Sequence, residues 1–193
     1  TSASISFTTT LATQTVTWAP TTALSTTASP ATPSALATAL GSATISYAVT
    51  SAGTTGCTVN SSTAVLTFTA AGSCTVRATA AATANYAAGT ADVTFVISLA
   101  SRSIAIDSGS YTSSYTMTAT PPTLTSTASA GGGTKSYTSS TAPVCTVNSS
   151  SGLVAFVSAG TCTITATIAA DATYASATSA STVSYTHLRA HET

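Results

Sequence analysis

One long stretch of this chain occurs twice at a fixed spacing. The segment AGSCTVRATAAATANYAAGTADVTF begins at Ala71, and AGTCTITATIAADATYASATSASTV begins at Ala159. The cysteines of the two copies, Cys74 and Cys162, are 88 positions apart, and the match needs no gap. A self-match of this length at constant spacing is typical of a tandem array of repeated modules. A fold for this chain therefore has to be a fold that the repeat can form twice.

The pattern inside the repeat predicts short β-strands. Cys74, Val76 and Ala78 alternate with polar residues, which is the period of a half-buried strand. The segment CTVNSSTAVLTF from Cys57 recurs as CTVNSSSGLVAF from Cys145, and its Asn-Ser-Ser centre predicts the turn of a β-hairpin. Each copy offers about seven short strands separated by turn signals, as in immunoglobulin-like domains. The sequence predicts an all-β fold made of two tandem immunoglobulin-like β-sandwich domains.

The fixed spacing also predicts where the domains begin and end. Residues 1–9 align with the last strand of the repeat, so we expect them to be the end of a truncated preceding repeat. The first domain then covers residues 10–98 and the second covers residues 99–182. Early in the first domain, Val16 and Trp18 alternate with threonines and predict a half-buried strand.

The last eleven residues, VSYTHLRAHET, differ from the rest of the chain. They contain both histidines and the only glutamate, and they resemble the translation of a transposon-type sequencing adapter. We interpret residues 183–193 as a non-native tail, exclude them from the fold, and expect their removal to leave the melting temperature nearly unchanged. Val183 aligns with Phe95, however, so the alternating VSYT segment also has the pattern needed to complete the last strand.

Composition excludes two classes of function. Only 4% of the residues are charged and the formal net charge is zero, so the chain lacks the basic surface on which nucleic-acid binding depends. No run of 18 or more apolar residues occurs, so no transmembrane helix is expected.

Three segments resemble the Big-type family of bacterial immunoglobulin-like repeats. They are TQTVTWAP, TVNSSTAVLTFTAAGSCTVRATAAATANYAAG and VCTVNSSSGLVAFVSAGTCTITATIAADATYASAT. The resemblance covers nearly all of residues 11–182, and the second copy departs from it at Thr173, where the first has Asn85. Such repeats stand in tandem in large surface or secreted proteins, so the resemblance implies an extracellular or cell-surface location.

The four cysteines form one pair per copy. Cys57 and Cys74, and likewise Cys145 and Cys162, are 17 positions apart. An even number of cysteines in an extracellular context favours two disulfides, one within each domain. A zinc site would need all four cysteines from both domains, and a cysteine nucleophile would lack a base outside the tail.

The remaining charged residues occur in one copy only. Asp92, Asp107 and Asp171 align with uncharged residues in the other copy, so we interpret them as isolated surface or turn residues. Neither a pair of catalytic carboxylates nor a calcium site is expected from them. Lys135 is interpreted as a solvated lysine that discourages edge pairing, in preference to an isopeptide-forming lysine.

Aromatic residues and sequons receive structural interpretations. Tyr86 and Tyr174 are expected to cover one end of the core and to bond backbone through their hydroxyl groups, and Trp18 is expected in the core. Asn60 and Asn148 lie in Asn-Ser-Ser sequons, and a turn role is preferred to glycosylation.

The sequence predicts no catalytic, cofactor or metal site. The favoured function is that of a non-catalytic spacer, in adhesin-like fashion, whose partners are neighbouring repeats of the same longer chain. The alternatives are a module that binds a host glycan or protein, and an accessory domain of a secreted hydrolase. Neither nucleic acid nor membrane insertion is expected.

Overall fold

The computed structural model describes residues 4–187, and within them regular structure consists of β-strands and single turns of 3-10 helix. The chain forms two compact units, unit 1 from Thr1 to Leu99 and unit 2 from Ala100 to Thr193. The predicted all-β fold is confirmed. No helix in residues 4–187 is long and apolar enough to span a membrane.

Unit 1 consists of a large sheet and a small one. Its strands are β1 (Ala23–Ser25), β2 (Ile45–Ser51), β3 (Thr58–Val59), β4 (Leu66–Thr67), β5 (Gly72–Ala80) and β6 (Gly89–Ser98). The large sheet has the order β1-β6-β5-β2, in which β1 runs parallel to β6 and the other pairs are antiparallel. The hairpin of β3 and β4 forms the second sheet. The alternating side chains of β5 explain this arrangement, because Cys74, Val76 and Ala78 face the core while their neighbours face outward.

The turn of the β3–β4 hairpin follows the sequence prediction. The Asn60 side-chain oxygen accepts hydrogen bonds from the backbone N–H groups of Ser62 and Thr63. The turn then needs a positive φ angle, which Ala64 adopts in unit 1 and Gly152 adopts at the aligned position of unit 2. Glycine meets this requirement without the steric cost that a Cβ atom brings.

Trp18 lies at the centre of the unit 1 core. Its ring contacts those of Tyr47 and Phe95, at centroid distances of 5.1 and 5.8 Å, and its indole N–H donates to the carbonyl oxygen of Ala35. The segment around it is not the continuous strand that the alternation predicts, because its backbone forms isolated bridges, including one between Thr17 and Thr38. The alternation still describes the burial, since Val16 and Trp18 both face the core.

Unit 2 repeats this plan with a larger number of strands. They are β7 (Ile104–Ile106), β8 (Ser114–Thr116), β9 (Ser126–Ala128), β10 (Lys135–Ser139), β11 (Cys145–Val147), β12 (Val154–Phe156), β13 (Gly160–Ile168), β14 (Ala177–Thr178) and β15 (Thr182–His187). The large sheet has the order β10-β13-β15-β8, with β14 also paired to β13, and β15 runs parallel to β8. The pairs β11–β12 and β7–β9 form two small sheets.

The last strand of unit 2 differs from its counterpart in unit 1 by one position. Cys74 lies opposite Phe95 in unit 1, whereas Cys162 lies opposite Ser184 in unit 2. The pairing offset changes between β14 and β15, so Ser184 is buried at 8% exposure while Val183 is 41% exposed. A change of one residue in register turns every side chain to the opposite face of the sheet. In the structure the counterpart of Phe95 is therefore Ser184, and the prediction that it is Val183 is wrong.

β15 also contains residues that the sequence analysis excluded from the fold. Residues 183–186 pair with β13 on one side, and residues 185–187 pair with β8 on the other. Their exclusion from the fold is therefore corrected, whereas their resemblance to adapter sequence stays a prediction about their origin. Residues 188–193 of the predicted tail lie outside the described residues.

The first residues of the chain carry no strand in the described structure. Residues 4–10 are exposed, and the exposed fractions of Ile5 and Phe7 are 79% and 87%. Residues 1–3 lie outside the described residues. The assignment of residues 1–9 to the end of a preceding repeat stays a prediction.

Candidate functional site

Each unit has a buried disulfide between its sheets. Cys57, directly before β3, is bonded to Cys74 on β5, with a Cα–Cα distance of 6.3 Å. Cys145 on β11 is bonded to Cys162 on β13, with a Cα–Cα distance of 5.5 Å. Each bridge joins a small two-stranded sheet to a long strand of the large sheet. All four sulfur atoms are thus engaged in disulfides and are not available as nucleophiles or metal ligands.

A polar side chain holds the alanine-rich loop of each unit. In unit 1 the Gln14 amide nitrogen donates to the carbonyl oxygens of Ala81 and Ala87, at 3.1 and 2.8 Å. Gln14 itself is buried, and its side-chain oxygen has no hydrogen-bond partner among the described residues. The loop therefore gains two side-chain hydrogen bonds that a buried apolar residue could not supply.

Arg102 holds the alanine-rich loop of unit 2, and it lies 88 positions after Gln14. Its guanidinium donates to the carbonyl oxygens of Ala169 and Ala175, which align with the two acceptors of Gln14, and also to Ala130. The Arg102 side chain is fully buried and forms an ion pair with Asp171 at 2.9 Å. The guanidinium also lies 5.8 Å from the centroid of the Tyr174 ring, a cation–π distance.

Asp171 is consequently not isolated, which corrects that part of its interpretation, whereas its interpretation as a turn residue is confirmed. Its carboxylate accepts hydrogen bonds from the backbone N–H groups of Tyr174 and Thr173, at 2.7 and 2.9 Å, besides the ion pair with Arg102. The bond from Tyr174, then that from Thr173, lowers the pKa of Asp171, and burial opposes this shift.

The other two aspartates also have partners. Asp92 on β6 forms two hydrogen bonds of 2.7 Å with Arg77 on β5, which lower the pKa of Asp92, so its interpretation as isolated is wrong. This pair is solvent-exposed and joins residues that lie opposite each other in the ladder. Asp107 accepts a hydrogen bond from the Thr125 hydroxyl, which is the main cause of its lowered pKa.

Lys135 begins β10, which is the outer strand of its sheet. The residue is exposed, and its ammonium group donates to the carbonyl oxygen of Ser126. Lys135 therefore lies at a sheet edge, and its role in opposing pairing with a further strand stays a prediction.

Tyr47 and Tyr115 bond backbone through their hydroxyl groups, whereas the sequence analysis expected this of Tyr86 and Tyr174. The Tyr47 hydroxyl accepts a hydrogen bond from the backbone N–H of Ala37 at 2.9 Å in the core. Tyr86 and Tyr174 are partly buried and join the alanine-rich loop to the start of their unit through parallel bridges, to Ala12 and Ala100 respectively. Their role in fixing this end of the unit thus runs through backbone contacts.

The sequons take part in turns in both units. The side-chain oxygen of Asn148 accepts from the backbone N–H groups of Ser150 and Ser151, as Asn60 does in unit 1. No group of three or more His, Cys, Asp or Glu residues that could hold a metal occurs in residues 4–187.

Unit 2 contains an apolar cavity beneath its last strand. Among its lining residues are Tyr115, Leu124, Phe156, Ile164 and Ser184. Ser184 occupies the position that Phe95 fills in unit 1, so the cavity lies where unit 1 has a phenyl ring. Tyr115 and Phe156 contact each other at 5.2 Å between ring centroids and form part of the wall.

The most important residues that the sequence analysis missed are Gln14 and Arg102. A comparison of aligned positions for hydrogen-bond donors would have found them, because both are long donors at the same place in the repeat.

Comparisons with known proteins found structural similarity at low identity. A scan against models of known protein families found no match, and neither did a search of curated proteins. Repeats EC22–24 of mouse cadherin-23 match 91% of this chain and 67% of that chain, at 14% identity and a TM-score of 0.37. The C-terminal fragment of intimin, solved with the intimin-binding domain of its translocated receptor, matches 93% of this chain and 65% of that chain, at 15% identity and a TM-score of 0.34. Domains 1–6 of the surface-layer protein SbsC match 92% of this chain and 28% of that chain, at 15% identity and a TM-score of 0.34.

Proposed function

We propose that the chain is a pair of non-catalytic, immunoglobulin-like spacer repeats of an adhesin-like bacterial protein that is secreted or displayed at the cell surface. In this proposal the domains cover residues 10–98 and 99–182, and residues 183–187 of β15 extend the second one. Their partners are neighbouring repeats of the same longer chain.

The main support for this proposal is that the features shared by the two units are internal, whereas the exposed charged residues differ. The disulfides and the loop-holding pair Gln14 and Arg102 recur at aligned, buried positions. The exposed ion pair of Arg77 and Asp92 has no counterpart in unit 2, where the aligned residues are Thr165 and Ala180. A repeat that retains its internal supports and varies its charged surface is suited to spacing rather than to a binding site present in every copy.

The internal supports also explain how such a spacer persists outside the cell. Disulfides are stable in oxidising compartments, and closing a loop of 17 residues contributes about 3 kcal/mol by the chain-entropy model. Each unit has few large apolar side chains, so this contribution is a substantial part of its stability. A unit that rarely unfolds is also rarely cleaved by proteases, because cleavage requires an opened chain.

Limited proteolysis and binding assays test the proposal together. We expect the oxidised protein to resist a protease of broad specificity, and the Cys57→Ala/Cys74→Ala variant to be cleaved first within unit 1. Intact mass should rise by four hydrogens on reduction. We also expect no saturable signal on an array of glycans and host surface proteins. Saturable binding that a loop substitution in one unit abolishes would contradict the spacer function and favour a binding module.

A further inference from the structure

The sheet of unit 2 is completed by a strand whose buried side chains are polar, and the hydroxyl groups of Ser184 and Thr186 donate to backbone carbonyl oxygens. β15 directs Ser184 and Thr186 toward the interior, while Val183 and Tyr185 are 41% and 58% exposed. In unit 1 the corresponding strand buries Phe95 and Ile97. The apolar cavity beneath Ser184 follows from this difference, because a hydroxymethyl group replaces a phenyl ring.

The same chain carries an unpaired segment with the sequence of a better last strand. Residues 4–9 align with the second half of β6, so that Phe7 corresponds to Phe95 and Ile5 corresponds to Val93. Both side chains are largely exposed, and residues 4–9 belong to no sheet of the described structure. This segment thus offers the aromatic side chain that the core of unit 2 lacks.

We propose that residues 4–9 of a second copy replace β15 in the large sheet of unit 2. The incoming strand would pair antiparallel with β13 and parallel with β8, as β6 pairs with β5 and β1 in unit 1. Addition of a strand from another chain satisfies backbone hydrogen bonds at the sheet, and side-chain pockets provide its specificity.

The repeat determines the register of this exchange. In unit 1, Phe95 lies opposite Cys74 and Val93 lies opposite Val76. By the same pairing, Phe7 lies opposite Cys162 and enters the apolar cavity.

Ile5 then lies opposite Ile164, which is also one of the residues that line the cavity. Two apolar side chains therefore face the core where β15 provides hydroxyl groups.

The length of the connecting chain permits this arrangement. In the chain itself, only Leu99 separates the end of β6 at Ser98 from the bridge that Ala100 forms with Tyr174. The same spacing separates Thr10 from the bridge that Ala12 forms with Tyr86. Unit 1 of the second copy would thus follow the borrowed strand as unit 2 follows β6.

Such a contact is head-to-tail, because the donor segment and the acceptor sheet are different surfaces. A contact of this kind generates open chains unless its rotation closes a ring. Association should increase with protein concentration and should be slow, since β15 has to leave before the new strand can pair.

Light scattering after size-exclusion chromatography tests the proposal with the full chain, incubated over a range of concentrations. We expect dimers and longer species that grow with concentration and time. The Phe7→Asp variant should remain monomeric, because the charge cannot enter the apolar cavity. Leu36→Asp is the control, because Leu36 is also an exposed apolar residue, at 53% exposure, but lies outside the donor segment. It should associate as the unchanged protein does.

Hydrogen exchange measured by mass spectrometry on the associated fraction distinguishes strand exchange from other association. Residues 4–9 should gain protection while residues 182–187 lose it. A protein that stays monomeric at every concentration overturns the proposal. Association that persists in Phe7→Asp, or that leaves the protection of both segments unchanged, also overturns it.

Discussion

Arg102 shows how one buried polar residue supports a whole loop. Its guanidinium satisfies the carbonyl oxygens of Ala130, Ala169 and Ala175 and pairs with Asp171. In unit 1, Gln14 donates to only two carbonyl oxygens of the loop. Its own side-chain oxygen has no partner in residues 4–187. Arginine has no acceptor atom to leave unsatisfied, so it is better suited to a site lined with carbonyl oxygens.

Replacement of Arg102 tests this role. Arg102→Ala leaves buried carbonyl oxygens without donors, and we expect unit 2 to lose about 1–3 kcal/mol of stability. Arg102→Gln, which introduces the residue of unit 1, should cost less because the amide can reach two of the acceptors. The measurement is the free energy of opening of unit 2 from hydrogen exchange, and equal losses in both variants would contradict the argument.

Asp171 provides a pH dependence with a definite sign. Its pKa is lowered in the folded protein, chiefly by the backbone N–H of Tyr174. A group of this kind contributes stability that is fully present above its unfolded pKa of about 3.9 and is lost as the pH falls through the lower folded pKa. Unit 2 should therefore be destabilised on acidification below about pH 4.

The Asp171→Asn variant isolates this contribution. It should be less stable than the unchanged protein at neutral pH and should lose less additional stability on acidification. Thermal unfolding of unit 2 at neutral pH and at about pH 3 provides the comparison. The fluorescence of Trp18 in unit 1 is the internal control, because both proteins have the same unit 1. A parallel loss in the two proteins would show that Asp171 does not contribute.

At the scale of elements, the long strands were predictable and the last strand was not. The alternation in β5 and β13 predicts which side chains are buried, because a strand of period two has only two faces. The register of β15 depends instead on a change of pairing offset after β14, and no residue signals this change in the sequence. A repeat alignment assumes constant spacing and therefore assigned Phe95 the wrong counterpart.

In the segment around Trp18, burial could be predicted from the sequence but strand pairing could not. Its alternation correctly predicts that Val16 and Trp18 are buried, yet most of its backbone pairs with no neighbouring strand in the described structure. Burial follows from the side chains alone, whereas a ladder also requires a partner strand in register. The disulfides and the hairpin turns could be predicted from the sequence, because the residues that form them lie at short spacings that recur in both copies.

Truncation after Thr182 tests the importance of β15. The strand pairs with both β13 and β8, so its removal should destabilise unit 2 strongly, which reverses the expectation drawn from the composition of the tail. The experiment is best performed in the Phe7→Asp background, where a second copy cannot supply a substitute strand. Hydrogen exchange should then rise throughout β13, while Trp18 fluorescence in unit 1 stays unchanged. An unaltered unit 2 would show that residues 183–187 do not stabilise the sheet.

For the whole molecule, the difference between the two cores predicts the order of unfolding. Each unit has its own cluster of buried side chains, and only unit 1 combines Trp18, Tyr47 and Phe95 at its centre. Unit 2 has Ser184 in place of Phe95, and burial of a phenylalanine side chain contributes about 1.5–3 kcal/mol. Each unit contains one disulfide, so the disulfides do not offset this difference in core packing. We therefore expect unit 2 to unfold first.

Denaturant titration with two probes measures this order. The chain has a single tryptophan, so its fluorescence reports unit 1, whereas circular dichroism reports the strands of both units. With monomeric Phe7→Asp, circular dichroism should show a first transition to which tryptophan fluorescence does not respond, followed by a second transition seen by both probes. Ser184→Phe fills the cavity and should move the first transition toward the second. A single coincident transition would instead mean that the two units unfold cooperatively, because two-state unfolding requires that all probes agree.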